Sequence, residues 1–186
     1  MAKTESNMLP LGTEAPNFNL PDTITGRNIK LSELVGEKGT VIMFICNHCP
    51  YVLHVIKEVT KLAKDYKDQG FGFVAISSND VEKYPADAPD KMKAFAEQND
   101  FIFHYLYDES QEVAKNYDAA CTPDFYVFDD QLKLFYRGQL DDSRPGSALP
   151  VTGRDIRKSL DAILMGKNLY RQQMPSLGCG IKWKES

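Results

Sequence analysis

The sequence predicts an α/β fold: a mixed central sheet, parallel first and antiparallel afterwards, with helices on both faces. Three observations carry this. Residues 40–46 (TVIMFIC) and 71–77 (FGFVAIS) are continuous apolar runs, as strands covered on both faces read. Between them, Val52, Val55, Ile56, Val59, Leu62, Ala63 and Tyr66 recur at helical spacing through residues 50–69, so strand, helix and strand form a right-handed parallel unit. Residues 124–128 and 132–136 then flank Asp129-Asp130 as a hairpin, which supplies the antiparallel half.

The other elements follow in order. APNFNLPD (15–22) and TGRNIKLSEL (25–34) read as two short strands around a turn at Gly26, with Ser32 capping a helical turn. Pro50 suits a first helical position and Gly70 a stop. The polar, proline-containing residues 79–89 read as a loop, and 90–98 as a helix with Met92, Phe95 and Ala96 inward. Residues 103–107 form a strand, and Ser110 caps a short helix through Tyr117. Thr152 starts a last helix, with Ile156, Leu160, Ile163 and Leu164 on one face and Gly166 closing it. No repeat appears, and residues 167–186 show no periodicity. The organisation expected is an N-terminal tail (1–8), one domain (9–166) and a C-terminal tail (167–186) packing on it.

Composition narrows the function. A chain of 186 residues is one domain's worth, with an ordinary 42% apolar and 26% charged residues. The net charge of −4 argues against a nucleic-acid partner. The N-terminus shows no signal-like apolar run, and the longest apolar stretch, 41–46, is too short to cross a membrane. The expectation is a cytoplasmic protein with no membrane partner. In a reducing compartment four cysteines point to free, catalytic or metal-binding thiols rather than structural disulfides.

Two of them stand in CNHC, where a buried strand hands over to a helix. Cys49 falls at the cap position before Pro50, where unpaired first-turn N–H groups and the helix dipole favour a thiolate. The thiolate attacks disulfide sulfur or peroxide oxygen, so Cys49 is the expected nucleophile. Cys46 is spaced to form a disulfide with it, and His48, if protonated, would favour a neighbouring thiolate. Two other readings remain: inert core cysteines, or a metal site from Cys46, Cys49, His48 and His54. Two cysteines alone do not close a tetrahedral site, and no metal is expected.

APNFNLPD, the buried strand, FICNHCP and the long helix resemble the redoxin branch of the thioredoxin superfamily over residues 9–166. The resemblance implies a thioredoxin fold with N-terminal β additions and a C-terminal tail. CTPDFYVFD (121–129) matches the place where that superfamily carries a cis-proline facing the active-site sulfur, which implies that Thr122 and Pro123 shape a substrate groove with Cys121 nearby. GQLDDSRPG, VTGRD and PSLGCGIKWK extend the likeness to a peroxiredoxin-like subgroup with N-x-CPYV and GCxIKWK motifs, in which the cysteine before proline, here Cys49, attacks. The pattern also departs. Peroxiredoxins carry P-x-x-x-T-x-x-C, whereas Ile42 and Cys46 stand at the proline and threonine places, and Pro123 takes the place of their arginine. Thioredoxins carry W-C-G-P-C, and the tryptophan is absent here. Related copper chaperones have a second cysteine where Leu53 stands.

The function expected is a peroxiredoxin-like antioxidant or thiol-disulfide oxidoreductase. Cys49 attacks a hydroperoxide or a disulfide, and Cys46, or else Cys179 on the glycine-flanked tail, resolves it. An external dithiol such as a thioredoxin regenerates the enzyme without an organic cofactor. Ile181 and Trp183 would anchor the tail by burial, Asp141, Asp142 and Arg144 line the cleft or are solvated, Tyr51 flanks the sulfur, and His54 is a surface or capping residue. The rival is a non-catalytic redox sensor or metal-binding module on the same scaffold.

Overall fold

Every residue of the apolar run that precedes CNHC is buried, and the molecule is arranged around it. The computed structural model describes residues 2–168 and 173–186. In chain order its strands are β1 (Lys3–Glu5), β2 (Asn19–Pro21), β3 (Asn28–Lys30), β4 (Gly39–Phe44), β5 (Phe71–Ser77), β6 (His104–Tyr107), β7 (Cys121–Thr122), β8 (Asp124–Asp129), β9 (Leu134–Gly138) and β10 (Leu177–Gly180). The α-helices are α1 (Pro50–Lys67), α2 (Pro89–Gln98), α3 (Glu112–Asn116) and α4 (Arg154–Leu164). The central sheet runs β6-β5-β4-β8-β9, with β4 parallel to β5, β5 parallel to β6, and the other two pairs antiparallel. The parallel-then-antiparallel order predicted from the sequence is present.

Successive β4 side chains serve two cores, because a strand alternates its faces. Val41 and Met43 pack with the inner faces of α1, α2 and α4. Ile42 and Phe44 pack with α3, the β2–β3 hairpin and the 3₁₀ turn Leu31–Glu33. All seven apolar residues read along α1 are buried, as are Met92, Phe95 and Ala96 of α2. Across the sheet, Arg137 of β9 is fully buried against Asp124 of β8 at 2.9 Å, donates to the Asp118 carbonyl and lies 4.4 Å over the Tyr126 ring.

Local expectations fail at three helix starts. Ser32 lies inside its 3₁₀ turn, and the Glu33 carboxylate instead accepts the Lys30 N–H at 2.8 Å. At α3, Asp108 rather than Ser110 is the main cap, accepting the Ala114 N–H at 2.9 Å. Thr152 precedes α4, whose cap residue is Gly153 in a left-handed conformation (φ +68°). Leu164, assigned to the inner face of that helix, is 38% exposed. The helix ends at that residue, while Ala162 and Ile163 beside it face the core.

The larger difference lies at the termini. β1 and β10, from the segments read as tails, pair antiparallel, and β10 pairs in turn with β7 to make a second sheet of three strands. Residues 169–172 of the C-terminal tail lie outside the described residues. Strands of two to four residues carry too few positions for periodicity to show, and their partners are more than fifty residues away.

Candidate active site

The site lies at the carboxyl ends of β4 and β5, where open α/β sheets place their ligand crevices. β4 ends at Phe44, the Ile45 N–H still bonds to the Ile76 carbonyl (3.0 Å), and the chain then turns through Cys46, Asn47 and His48 into α1. Cys49 is the N-cap residue of α1, with extended backbone and Pro50 at the first helical position. Its carbonyl accepts the Val52 and Leu53 N–H groups, both at 3.0 Å.

Three sulfurs converge here. Cys49 Sγ lies 3.0 Å from Cys179 Sγ on β10 and 3.3 Å from the Thr122 carbonyl oxygen on β7. Cys46 Sγ lies 3.4 Å from Thr122 Oγ1. The sulfur–sulfur distance is well beyond the ~2.05 Å of a covalent bond, and all four cysteines are free and buried. The Thr122–Pro123 peptide is cis. The Cys121 thiol, also read as lying near the site, points back to the Pro123 carbonyl at 3.8 Å and packs as a small buried group.

Electrostatics separates the thiols. The Cys49 thiol is lowered from 9.0 to about 5, chiefly by a hydrogen bond from the Cys46 thiol. Burial opposes this, while the Cys179 thiol and the Val52 N–H add to it. The protonated Cys49 donates to the Thr122 carbonyl, and that oxygen opposes ionisation. The neighbouring thiols outweigh that single carbonyl, so the thiolate is favoured. Helix-end amides were the expected cause, but here they rank below a side-chain donor. The Cys46 thiol is pushed well above 9.0 by donating to Cys49, by burial and by the charge of Asp87. Burial and its bond to Cys49 push Cys179 up to about 12. One thiolate is therefore held between two thiols.

His48 takes Asp87, not Cys49, as its partner. Its Nδ1 pairs with Asp87 at 2.7 Å and its ring stacks on Tyr84. Asp87 is fully buried in the 79–89 segment, where it accepts from the Asn47 N–H (2.8 Å) and the Asn79 side-chain amide (2.8 Å). Asn79 also accepts the Lys182 N–H at 2.9 Å, which ties this network to the tail. The sequence treated 79–89 as a plain loop. Its position directly after β5, on the crevice side of the sheet, was the signal that could have singled out Asn79 and Asp87.

Cys46, His48 and Asp87 place their ligating atoms within 4.8 Å of one another, the only such metal-capable cluster among the described residues. Cys49 and His54, which the sequence had grouped with them, are not part of it. His54 Nε2 instead meets Ser143 Oγ at 2.8 Å. A cleft beside the start of α1 is lined by Tyr51, His54, Pro123, Ser143, Arg144 and Leu177. Asp141 is buried and accepts the Thr152 and Gly153 N–H groups, so it holds the loop before α4, whereas Asp142 is exposed. Of the two expected tail anchors, Ile181 is buried, while Trp183 is 40% exposed with Lys115 over its ring.

A five-stranded mixed sheet flanked by helices, with a cysteine at the strand–helix junction facing Thr122, has the thioredoxin fold. The chain belongs to the AhpC/TSA family, whose pattern it matches over residues 11–137. It is 57% identical to an uncharacterized conserved protein from Geobacillus kaustophilus, with a TM-score of 0.98 over 100% of this chain and 98% of that one. A segment of 71 residues is 37% identical to the thiol-disulfide oxidoreductase ResA of Halalkalibacterium halodurans, covering 38% of this chain and 39% of that relative. The thioredoxin domain of a thiol-disulfide oxidoreductase from Bacteroides vulgatus shares the fold, at 17% identity and a TM-score of 0.62 over 82% of this chain and 99% of that one.

Proposed function

We propose that this protein is a thiol oxidoreductase, peroxiredoxin-like in kind, in which Cys49 is the nucleophile. The observation that carries the reading is the convergence of three sulfurs at the start of α1, with the Cys49 and Cys179 sulfurs 3.0 Å apart. Cys49 attacks a disulfide sulfur or a hydroperoxide oxygen as its thiolate, and a neighbouring thiol, Cys46 or Cys179, closes an internal disulfide. Thr122 and Pro123 border the reacting sulfur. An external dithiol such as a thioredoxin returns the protein to its reduced state, and a cytoplasmic location is part of this proposal. Replacing Cys49 by Ser lowers turnover of hydroperoxide or of a model disulfide, in the presence of a dithiol donor, by at least ~1000-fold. Turnover that survives the replacement overturns the assignment.

The Cys46–His48–Asp87 cluster favours one second reading, a metal-binding module. Its test is zinc binding by the reduced protein. Tight stoichiometric binding lost in Cys46→Ser, with no thiol turnover in the wild type, would establish the module in place of the enzyme.

A further inference from the structure

β10 lies where an extended partner of this site would have to lie. Resting on Cys49 as the nucleophile, we propose that β10 is an internal substrate strand. Cys179 closes the disulfide with Cys49, and the filled groove selects small hydroperoxides over protein disulfides as the oxidant.

The register is the first support. β10 runs antiparallel on β7 with Cys179 opposite Thr122 and Gly180 opposite Cys121, as an added peptide strand pairs with a sheet edge. That register sets the Cys179 sulfur 3.0 Å from the Cys49 sulfur. The second support is the closeness of the fit. A Cβ on Gly178 would stand 1.9 Å from the Thr122 carbonyl oxygen, a backbone atom that cannot step aside, so a glycine is required for the strand to seat. The third is that β10 is held along both edges and at both ends. β1 pairs with its outer edge, Ser176 Oγ donates to the Pro123 carbonyl at 2.5 Å, and the Ile181 N–H reaches the Ala120 carbonyl at 3.0 Å. Cys49 is 0% exposed beneath this cover. A polypeptide disulfide must displace β10 to reach it, whereas a hydroperoxide needs only a brief local opening.

Cys46 has a different part. It sits buried two residues beyond β4, every residue of which is buried, and its interaction with Cys49 is the main support of the Cys49 thiolate. It remains a thiol while Cys179, on a strand flanked by Gly178 and Gly180, moves the short distance to bond. In the first step the Cys49 thiolate takes the terminal oxygen of the hydroperoxide. The O–O bond breaks, the sulfur becomes a sulfenic acid, and the alkoxide leaves as an alcohol after taking up a proton. In the second, Cys179 sulfur attacks the Cys49 sulfur, the S–O bond breaks, and the Cys179 proton departs with the hydroxide as water. An external dithiol then reduces the Cys49–Cys179 bond by two exchanges and is itself oxidised to a disulfide.

The test starts with reduced wild-type protein, one equivalent of hydrogen peroxide, rapid alkylation and non-reducing peptide mapping. The expected product is a Cys49–Cys179 disulfide with Cys46 alkylated. A Cys46–Cys49 disulfide as the main product overturns the inference while leaving Cys49 as nucleophile, and an inert Cys49 overturns both. The second arm compares insulin reduction, driven by dithiothreitol, in wild type and Gly178→Val. Dislodging β10 raises the rate at least ~10-fold, and equal rates overturn the selectivity. If Gly178→Val does not fold, Cys179→Ser decides. It accumulates dimedone-reactive sulfenic acid at Cys49 on this account, and a Cys46–Cys49 disulfide in its place contradicts it.

Discussion

The two thiols that flank Cys49 come from regions built in opposite ways. Cys46 lies two residues beyond β4, a strand hydrogen-bonded on both sides and buried on both faces. Cys179 sits in a four-residue strand of a small sheet, more than a hundred residues from Cys49, seated by glycine contacts and side-chain bonds to loops. The first region is local to Cys49 in sequence and the second is distant. On the proposed reading the first sets the acidity of Cys49 and the second sets what can approach it, so substitutions can move one without the other.

The largest expected effect that sharpens this contrast is on the Cys46 side. Cys46→Ala removes the main donor to the Cys49 thiolate, so the Cys49 ionisation midpoint climbs from about 5 toward 9.0. Turnover near neutral pH falls by roughly 10-fold or more as the thiolate fraction drops. Cys46→Ser keeps a donor and shifts the midpoint less, whereas Cys179→Ser leaves most of the acidity in place, since its bond ranks below that of Cys46. An equal shift in the Cys46 and Cys179 variants breaks the comparison.

A smaller effect appears in stability. The Cys49 thiol is more acidic folded than unfolded, so its ionisation stabilises the fold fully above about pH 9 and this contribution is lost as pH falls through about 5. The difference in Tm between reduced wild type and Cys49→Ser should therefore widen in favour of the wild type as pH rises across that window. A difference independent of pH contradicts the assigned shift. The smallest effect concerns Trp183, which lies beyond β10 and is substantially exposed. Trp183→Ala costs less than about 0.5 kcal/mol in a denaturation experiment and leaves turnover unchanged.

The same contrast explains what the sequence made legible. β4, α1 and β5 declare themselves because each buries enough side chains for its period to show, and the inward positions of α1 follow one by one. The position of Cys49 at the cap follows from Pro50, and the place of Thr122 beside it from the likeness of CTPDFYVFD to the redoxins. The seat of Cys179 was open only as an alternative, because LGCG has no hydrophobic pattern and its pairing depends on β1 and β7. Asp87 was missed because a buried carboxylate in a polar segment looks solvated until its partners, Asn47, His48 and Asn79, are in place. The capping errors at Ser32 and Ser110 share that origin, since Glu33 and Asp108 were competing acceptors close by in sequence.

The most direct test of the central claim is a pH titration of thiolate ultraviolet absorbance in the reduced protein, taken as the difference between wild type and Cys49→Ser. The account predicts one thiolate appearing with a midpoint near 5 in the wild type. A midpoint near that of free cysteine, about 8.5, would contradict it.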